Sequence, residues 1–466
     1  MSGIDLADLP SAAPDGVQAH QRADPFWDDL WSAGSAASWM NTKAAARQAR
    51  AGVPAPPAFL RRHDTDHAQR LMTKPSATLD QRLRFLGVVN TYRTVSAQQA
   101  AALSGNVKVA RCDRGFVPAA FASELVDLGV YNTGAPMRSL RSAYTLYRPS
   151  ASQVFDRVVA PELTYAQWLH VTGGTDWSAG GQYDRHNVLA VELMLRAAEY
   201  CDVAAIAGEQ MCAVELLAGS GVGRTLPHPD NRRADGLLVR PDGLRIALEI
   251  TATTSRGLPD KIRRWAKLLA ASPLRSTGLT VAFVAVDRPG SGNGVLTRLR
   301  REVAKVMREY PGAAATSPAN RLAIVSWREL FPDRLAGSEQ MLLFNGHFRD
   351  PSAPDGWRSA GMLDASELPF SPAPDFEAQA VLENISGLAA TPPWLPQRCP
   401  TSPRVHAVPS AAPGAAQLPA VSDRGVGSAC AVAKVPPSMV LGLHSAALAP
   451  TRDTIKESNQ LVRSSS

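Results

Sequence analysis

Lysine is what this chain of 466 residues has least of among its charged groups: 8 lysines stand beside 41 arginines. Its basicity is therefore mostly guanidinium, which favours bidentate contact with phosphate and carboxylate. The net charge of +7 permits a polyanionic partner without demanding one. No apolar run approaches the roughly 18 residues of a membrane span. The opening MSGIDLADLP is acidic, with no basic region leading into an apolar core, so no secretory signal is expected. Cysteine is limited to Cys112, Cys201, Cys212, Cys399 and Cys430, an odd number without a CxxC. That argues against a disulfide scaffold and a cysteine-rich zinc site, and makes a reducing cytoplasm the expected location.

Proline is unevenly spread. Seven of the 36 lie in residues 1–75 and 13 in the last 96 residues, leaving 16 for the 295 between. The composition predicts a largely disordered N-terminal segment (1–75) and a disordered Pro/Ala/Ser-rich tail (370–466), since such stretches bury little surface against their ordering entropy. The N-terminal segment has room for one short helix around 25–50, and the tail for one at 375–388.

Residues 76–150 read as three helices followed by a hairpin. Leu79, Leu83, Leu86 and Val89 recur at helical spacing. Ser96 is a candidate N-cap for a short helix through Leu103. A third helix is predicted over 118–128, stopped by Gly129, and strands at 130–131 and 143–147 follow. This is the order of a winged helix-turn-helix. The segment holds nine bases against four acids. It is expected to meet double-stranded DNA, with Arg138, Arg141 and Arg148 on backbone phosphates. The acids Glu124 and Asp127 in the third helix argue against base readout from it. Pairing with another protein is the other use of such a motif.

Residues 180–345 alternate strands and helices, the pattern of an α/β domain. A helix is expected over 184–200, short strands near 203–207 and 211–217, a basic helix over 259–271, a strand at 279–286, a helix at 295–310 and a strand at 322–326. The informative feature is the hairpin at 234–251. Pro241-Asp-Gly243 suits a three-residue loop. Arg240 then faces Leu244, and paired positions sum to 484, which sets Asp235 opposite Glu249 and Arg233 opposite Thr251. Two facing carboxylates repel, and a bound cation is one way to offset that. Solvated acids, or acids paired with Arg232, Arg233 or Arg245, are the other.

A helix bearing Glu192, a hairpin with Asp235 and Glu249, a basic helix and a further strand resemble the PD-(D/E)XK nuclease superfamily. The order of winged helix, His186-Asn187, Glu209-Gln210, Arg233-Ala-Asp-Gly236 and Leu248-Glu-Ile-Thr251 most resembles the plasmid replication-relaxation family. The resemblance covers roughly 78–330. It implies a restriction-endonuclease-like α/β domain after the winged helix, with Glu192, Asp235 and Glu249 as ligands of Mg²⁺. It also implies a lysine two residues beyond the second Glu, where this chain has Thr251. Lys261, in the first turn of the next helix, is a candidate substitute, and Arg233 is another. Lys261, Arg263, Arg264 and Lys267 form a basic run suited to a phosphate backbone, with Trp265 expected in the core. The function implied is that of a DNA-binding protein of a plasmid or mobile element, with Mg²⁺-dependent phosphodiester cleavage. A non-catalytic replication or mobilisation factor and a winged-helix transcription regulator are the alternatives.

Three further signals carry less. His63 and His67 have i,i+4 spacing but lack the Glu and distal ligand of a zinc enzyme. Gly219-Ser-Gly-Val-Gly223 lacks the Lys-Ser/Thr ending of a phosphate loop. Gly290-Ser-Gly-Asn-Gly294 reads equally as a plain strand–helix connection.

Overall fold

The computed structural model describes residues 3–31, 34–51, 64–131, 144–179, 183–219, 221, 232–253, 255–310 and 317–395. All of them fall in one unit, Met1–Arg404. Arg138, Arg141, His63, Cys399, Cys430 and the tail from 396 onward lie outside the described residues.

The N-terminal segment departs from its composition. It holds β1 (Ile4–Asp5), β2 (Ser38–Met40), α1 (Thr42–Arg50) and α2 (Thr65–Thr73). Leu6, Val17, Phe26, Leu30 and Trp31 are buried in it. Scattered apolar anchors and one buried arginine, described below, order a stretch that its proline content alone predicts to be loose.

Next come α3 (Leu79–Tyr92), β3 (Val95–Ser96), α4 (Ala97–Ser104), α5 (Val117–Ala122), β4 (Val126–Val130) and β5 (Thr145–Pro149). Ser96 caps α4 as expected: its hydroxyl accepts the Gln99 N–H, and the Gln99 side chain returns the bond. The strands form a sheet in the order β2-β4-β5-β3. The third helix is shorter than predicted, because 126–130 pairs as a strand on both sides. Gly129 does not stop a helix. It lies under Trp39, where a Cβ would sit 2.6 Å from the indole.

After α6 (Tyr165–Thr172) and α7 (Asp184–Tyr200), the chain enters β6 (Ala205–Gly208), α8 (Val214–Leu217), β7 (Gly236–Val239), β8 (Arg245–Thr251) and α9 (Leu258–Ala271). The stretch 211–217, predicted as a strand, is helical in part. Then follow α10 (Leu274–Thr277), β9 (Leu279–Ala285), α11 (Gly294–Met307), β10 (Leu322–Ser326), α12 (Trp327–Leu330), β11 (Ala336–Gly337), α13 (Glu339–Leu342), β12 (Asn345–Arg349) and β13 (Trp357–Gly361). A seven-stranded sheet runs β13-β12-β10-β9-β8-β7-β6, with β8, β9 and β10 parallel and the remaining pairs antiparallel. The loop-length argument gives the register within the paired part of the hairpin, Gly236 with Leu248 and Val239 with Arg245, but the ladder ends at Gly236, one residue short of the expected Asp235–Glu249 pair.

Strand alternation sorts the two faces of this sheet. Leu238, Ile246, Leu248 and Ile250 pack with α7. Leu237, Val239 and Ala247 pack with α9 and α11 on the other face. The part of the tail that is described is ordered: α14 (Ala378–Ser386) buries Val381, Leu382 and Ile385, and the Trp394 indole N–H donates to the Ala102 carbonyl at 2.7 Å. Among the described residues, no helix is long and apolar enough to cross a membrane.

One ionic cluster holds α7 to the N-terminal segment. Arg22 pairs with Glu192 at 2.9 Å and with Glu199, and Arg196 pairs with Glu192 at 3.0 Å and Asp24 at 2.7 Å. Gln99 of α4 donates to Glu192 at 3.1 Å. All of these side chains are buried. Burial alone would raise the Glu192 carboxyl, but Arg22 and Arg196 outweigh it and hold it at about 2.

Glu192→Gln therefore leaves two buried guanidiniums short of an anion, a loss of about 3–5 kcal/mol at pH 7. The ordinary value is 4.5 and the folded value about 2, so this stabilisation is present above pH 4.5 and is lost as pH falls toward 2. Urea unfolding of parent and variant should differ most at pH 7 and converge near pH 2–3; a constant gap would refute the assignment.

Candidate functional site

The hairpin β7–β8 ends where its chemistry begins. The Asp235 N–H still donates to the Leu248 carbonyl at 2.9 Å, but its carboxylate, not its carbonyl, accepts the Ile250 N–H at 2.6 Å. The ladder stops there, with Asp235 turned toward the Glu249–Thr251 segment. Arg233 does not continue the register to Thr251; it bridges Ala213, while Thr251 pairs with Ala285 of β9. The expectation that Arg233 faces Thr251 is thereby corrected, because the carboxylate has taken the ladder position.

Asp235 and Glu249 line one cleft of ≈ 690 Å³. Thr251, Lys261, Trp265 and Glu209 share its wall, as do Tyr183, Arg185 and His186 from the start of α7. Glu249 is buried on the α9 face of the sheet. Its Oε1 accepts the Trp265 indole N–H at 2.6 Å, and its other oxygen meets the Lys261 ammonium. Lys261 thus reaches back from the first turn of α9, as its position there predicts. Burial, reinforced by Asp235, pushes Glu249 up to about 7 even though Lys261 pulls the other way. Burial lowers Lys261, but Glu249 and Asp235 outweigh it and hold the ammonium above its ordinary range.

Glu192 does not join these groups. It lies on α7, on the opposite face of the sheet, and is consumed by Arg22 and Arg196. The ligand role that the resemblance implies for it is corrected on that ground. Glu209 is the carboxylate that does reach the cleft. Burial raises it, Arg93 lowers it and Asp235 raises it again. His186 is lowered, by burial first, against the pull of Asp235, with Lys261 and Arg185 adding to the lowering. Both residues belong to the short runs His186-Asn187 and Glu209-Gln210, which sequence reasoning noted without giving them a role.

The basic run divides. Lys261 and Arg264 line the cleft. Arg263 pairs instead with Asp260 at 2.9 Å and Glu309 at 3.6 Å, and Lys267 is exposed and does not line the cleft. Trp265 is in the core as expected, yet its N–H is also spent on Glu249. On the smaller sheet, Arg148 is held by Asp127 at 3.1 Å and lies 4.2 Å over the Trp39 ring, so it is not the free phosphate contact expected of it. Every residue of α5 is buried, and α2 packs against it, so this short helix has no free face for a DNA groove.

The cleft presents five bases (Arg185, Arg232, Arg233, Lys261, Arg264) and three acids (Glu209, Asp235, Glu249). Among the described residues, no group of three or more His, Cys, Asp or Glu is arranged to hold a metal ion. Mg²⁺ is nonetheless commonly held by one or two carboxylates with substrate phosphates and water. Asp235 and Glu249 fit that donor set. They are hard oxygen ligands on the wall of one cleft. Comparisons with protein families, curated proteins and solved structures find no match to this chain.

Lys261→Met removes the cation beside Glu249. Its carboxyl should then titrate above about 7, read by ¹³C NMR of the glutamate side chains. Ionising a carboxyl raised by folding costs stability as pH rises, so the variant should lose stability between pH 5 and 8 more steeply than the parent. Unchanged titration would remove Lys261 from the site.

Proposed function

We propose that the chain is a DNA-binding protein whose cleft cleaves a phosphodiester bond with the help of Mg²⁺, in the replication or mobilisation of a plasmid or other mobile element. The observation that carries this is the meeting of the Lys261 ammonium with Glu249 beside Asp235. It supplies, from a helix, the positive charge that Thr251 lacks. The element order helix, antiparallel hairpin, basic helix and parallel strand supports the same reading. The order α3-β3-α4-α5-β4-β5, with β5 between β3 and β4, supports a winged helix beside it.

In this reading Asp235 and Glu249 hold the cation. When bound, such a cation lowers the pKa of its water and offsets the charge that develops on the phosphoryl oxygens. Lys261 holds Glu249 and presents donors to a phosphoryl oxygen. Trp265 fixes the Glu249 rotamer. Arg185, Arg232 and Arg264 meet the flanking backbone, where guanidinium pairs bidentately with phosphate. Double-stranded DNA is drawn to the cleft in this account, since α5 is covered. That cover also weighs against a regulator that reads DNA through α5. A non-catalytic factor draws its support from Thr251.

Supercoiled plasmid with Mg²⁺ or Mn²⁺ tests the reading. The parent should nick it, Asp235→Asn with Glu249→Gln should not, and Lys261→Ala should be slower by about 10²–10³-fold, the usual loss for one charge-stabilising group. Thr251→Ala should be nearly neutral. Salt-sensitive binding without nicking, in parent and variants alike, selects the non-catalytic factor.

A further inference from the structure

The helix α1 (Thr42–Arg50) reads Thr-Lys-Ala-Ala-Ala-Arg-Gln-Ala-Arg and holds no Asp or Glu. Alanine, lysine, arginine and glutamine are strong helix formers. The Asn41 side chain caps the start by accepting the Ala44 N–H at 2.8 Å. The helix is mounted at that end: it follows β2, which pairs with β4, and its Thr42 hydroxyl donates to the Glu124 carboxylate at 2.9 Å. Of its nine residues only Ala45 is buried. At 3.6 residues per turn, Lys43, Arg47 and Arg50 share an arc of roughly 60° on the side opposite Ala45. All three are exposed, and among the described residues none of them is in an ion pair.

Helix stability accounts for only part of this stripe. Arg47 and Arg50 sit in the last turn, where the helix dipole favours cations, but Lys43 sits in the first turn, where it does not. Lys43 and Arg47 also stand at i,i+4, where like charges repel. In α3, α9 and α11 an arginine is offset by an acid of its own helix: Arg84 by Asp80 at 3.5 Å, Arg263 by Asp260 at 2.9 Å and Arg301 by Glu302 at 3.1 Å. With no such acid in α1, the anion that suits its stripe comes from outside the helix. The stripe runs about 10 Å from Lys43 to Arg50, the length of roughly three base-pair steps. Ala46, beside it, is small and does not hold a backbone off. A bilayer is a poor match, because the rest of the helix has no Trp, Phe or Leu to insert. We propose that α1 docks duplex DNA by its phosphates, through Lys43, Arg47 and Arg50. Such contacts position a duplex and read no sequence. The inference takes duplex DNA as the partner from the reading above and adds a docking element outside the cleft, whose walls include none of the three. It gives the sheet β2-β4-β5-β3 a DNA contact that the covered α5 cannot make.

The test titrates a fluorescein-labelled duplex with the full chain in EDTA, which prevents cleavage, and reads anisotropy over a series of KCl concentrations. The main variant carries Lys43→Gln, Arg47→Gln and Arg50→Gln, since glutamine keeps the helix propensity. A control with Arg275→Gln, Lys305→Gln and Arg308→Gln removes the same charge from exposed positions elsewhere. The main variant should bind at least tenfold more weakly, and its slope of log K against log salt should fall by about 2–3, because each phosphate contact contributes about 0.9. The control should shift less than threefold. Parent-like Kd and slope in the main variant, or an equal loss in the control, overturns docking by α1 and leaves the cleft reading intact. Capture of poly-glutamate lost with duplex binding unchanged assigns the stripe to an acidic protein and overturns it too. Absence of duplex binding by the parent overturns both readings. The expected losses in a chain that does not nick plasmid with Mg²⁺ uphold docking and overturn cleavage alone.

Discussion

The ion cluster around Glu192 is the constraint from which most of the architecture follows. A carboxylate buried in the middle of α7 is tolerable only with cations around it, and the chain recruits Arg22 from its N-terminal segment and Arg196 from the same helix. Asp184, at the start of α7, accepts from the Ala37 N–H and Trp39 indole at 3.0 Å and from the Thr94 hydroxyl at 2.9 Å. One helix thereby ties down the N-terminal segment, the β2-β4-β5-β3 sheet and α4. Its first turn, held in place by these bonds, carries Arg185 and His186 to the rim of the cleft.

Across the sheet, the cleft solves a different electrostatic problem. Asp235 and Glu249 are brought near each other by a hairpin whose register its loop dictates. Their repulsion is eased by an ammonium that arrives from α9 and not from β8. What such a site requires is a positive charge at a point in space. A side chain as long as lysine reaches that point from the first turn of a neighbouring helix as well as from a strand. The indole of Trp265 completes the arrangement by occupying the second Glu249 oxygen, so a residue that belongs to the core by position also orients the site.

Much of this was legible in the chain alone. The helix 184–200, the basic helix and the strands at 279–286 and 322–326 follow from apolar periodicity, and the capping box at Ser96 from residue type. The hairpin register followed from counting outward from Pro241-Asp-Gly243. Other parts were not legible, for identifiable reasons. A glycine reads as a helix stop unless one knows that Trp39 will lie on it. A proline-rich segment reads as loose unless one knows that Arg22 is buried under it. The helical spacing of Phe121, Leu125 and Leu128 masks the strand alternation of Val126, Leu128 and Val130, and so short a stretch does not settle between the two.

Local signals thus determined which residues would be helix, strand and turn around the hairpin, and that Asp235, Glu249 and Lys261 would lie within reach of one another. Those depend on spacings of a few residues and on alternation along one strand. Only the tertiary structure decided which carboxylates belong together. Glu192 and Glu249 are separated by the sheet itself, and Glu209 joins the cleft because β6 pairs with β7. Only it decided that the face of α5 is covered and that Arg148 is held by Asp127 and Trp39. Such outcomes depend on which faces meet across distant parts of the chain, and charge, hydropathy and period are blind to that.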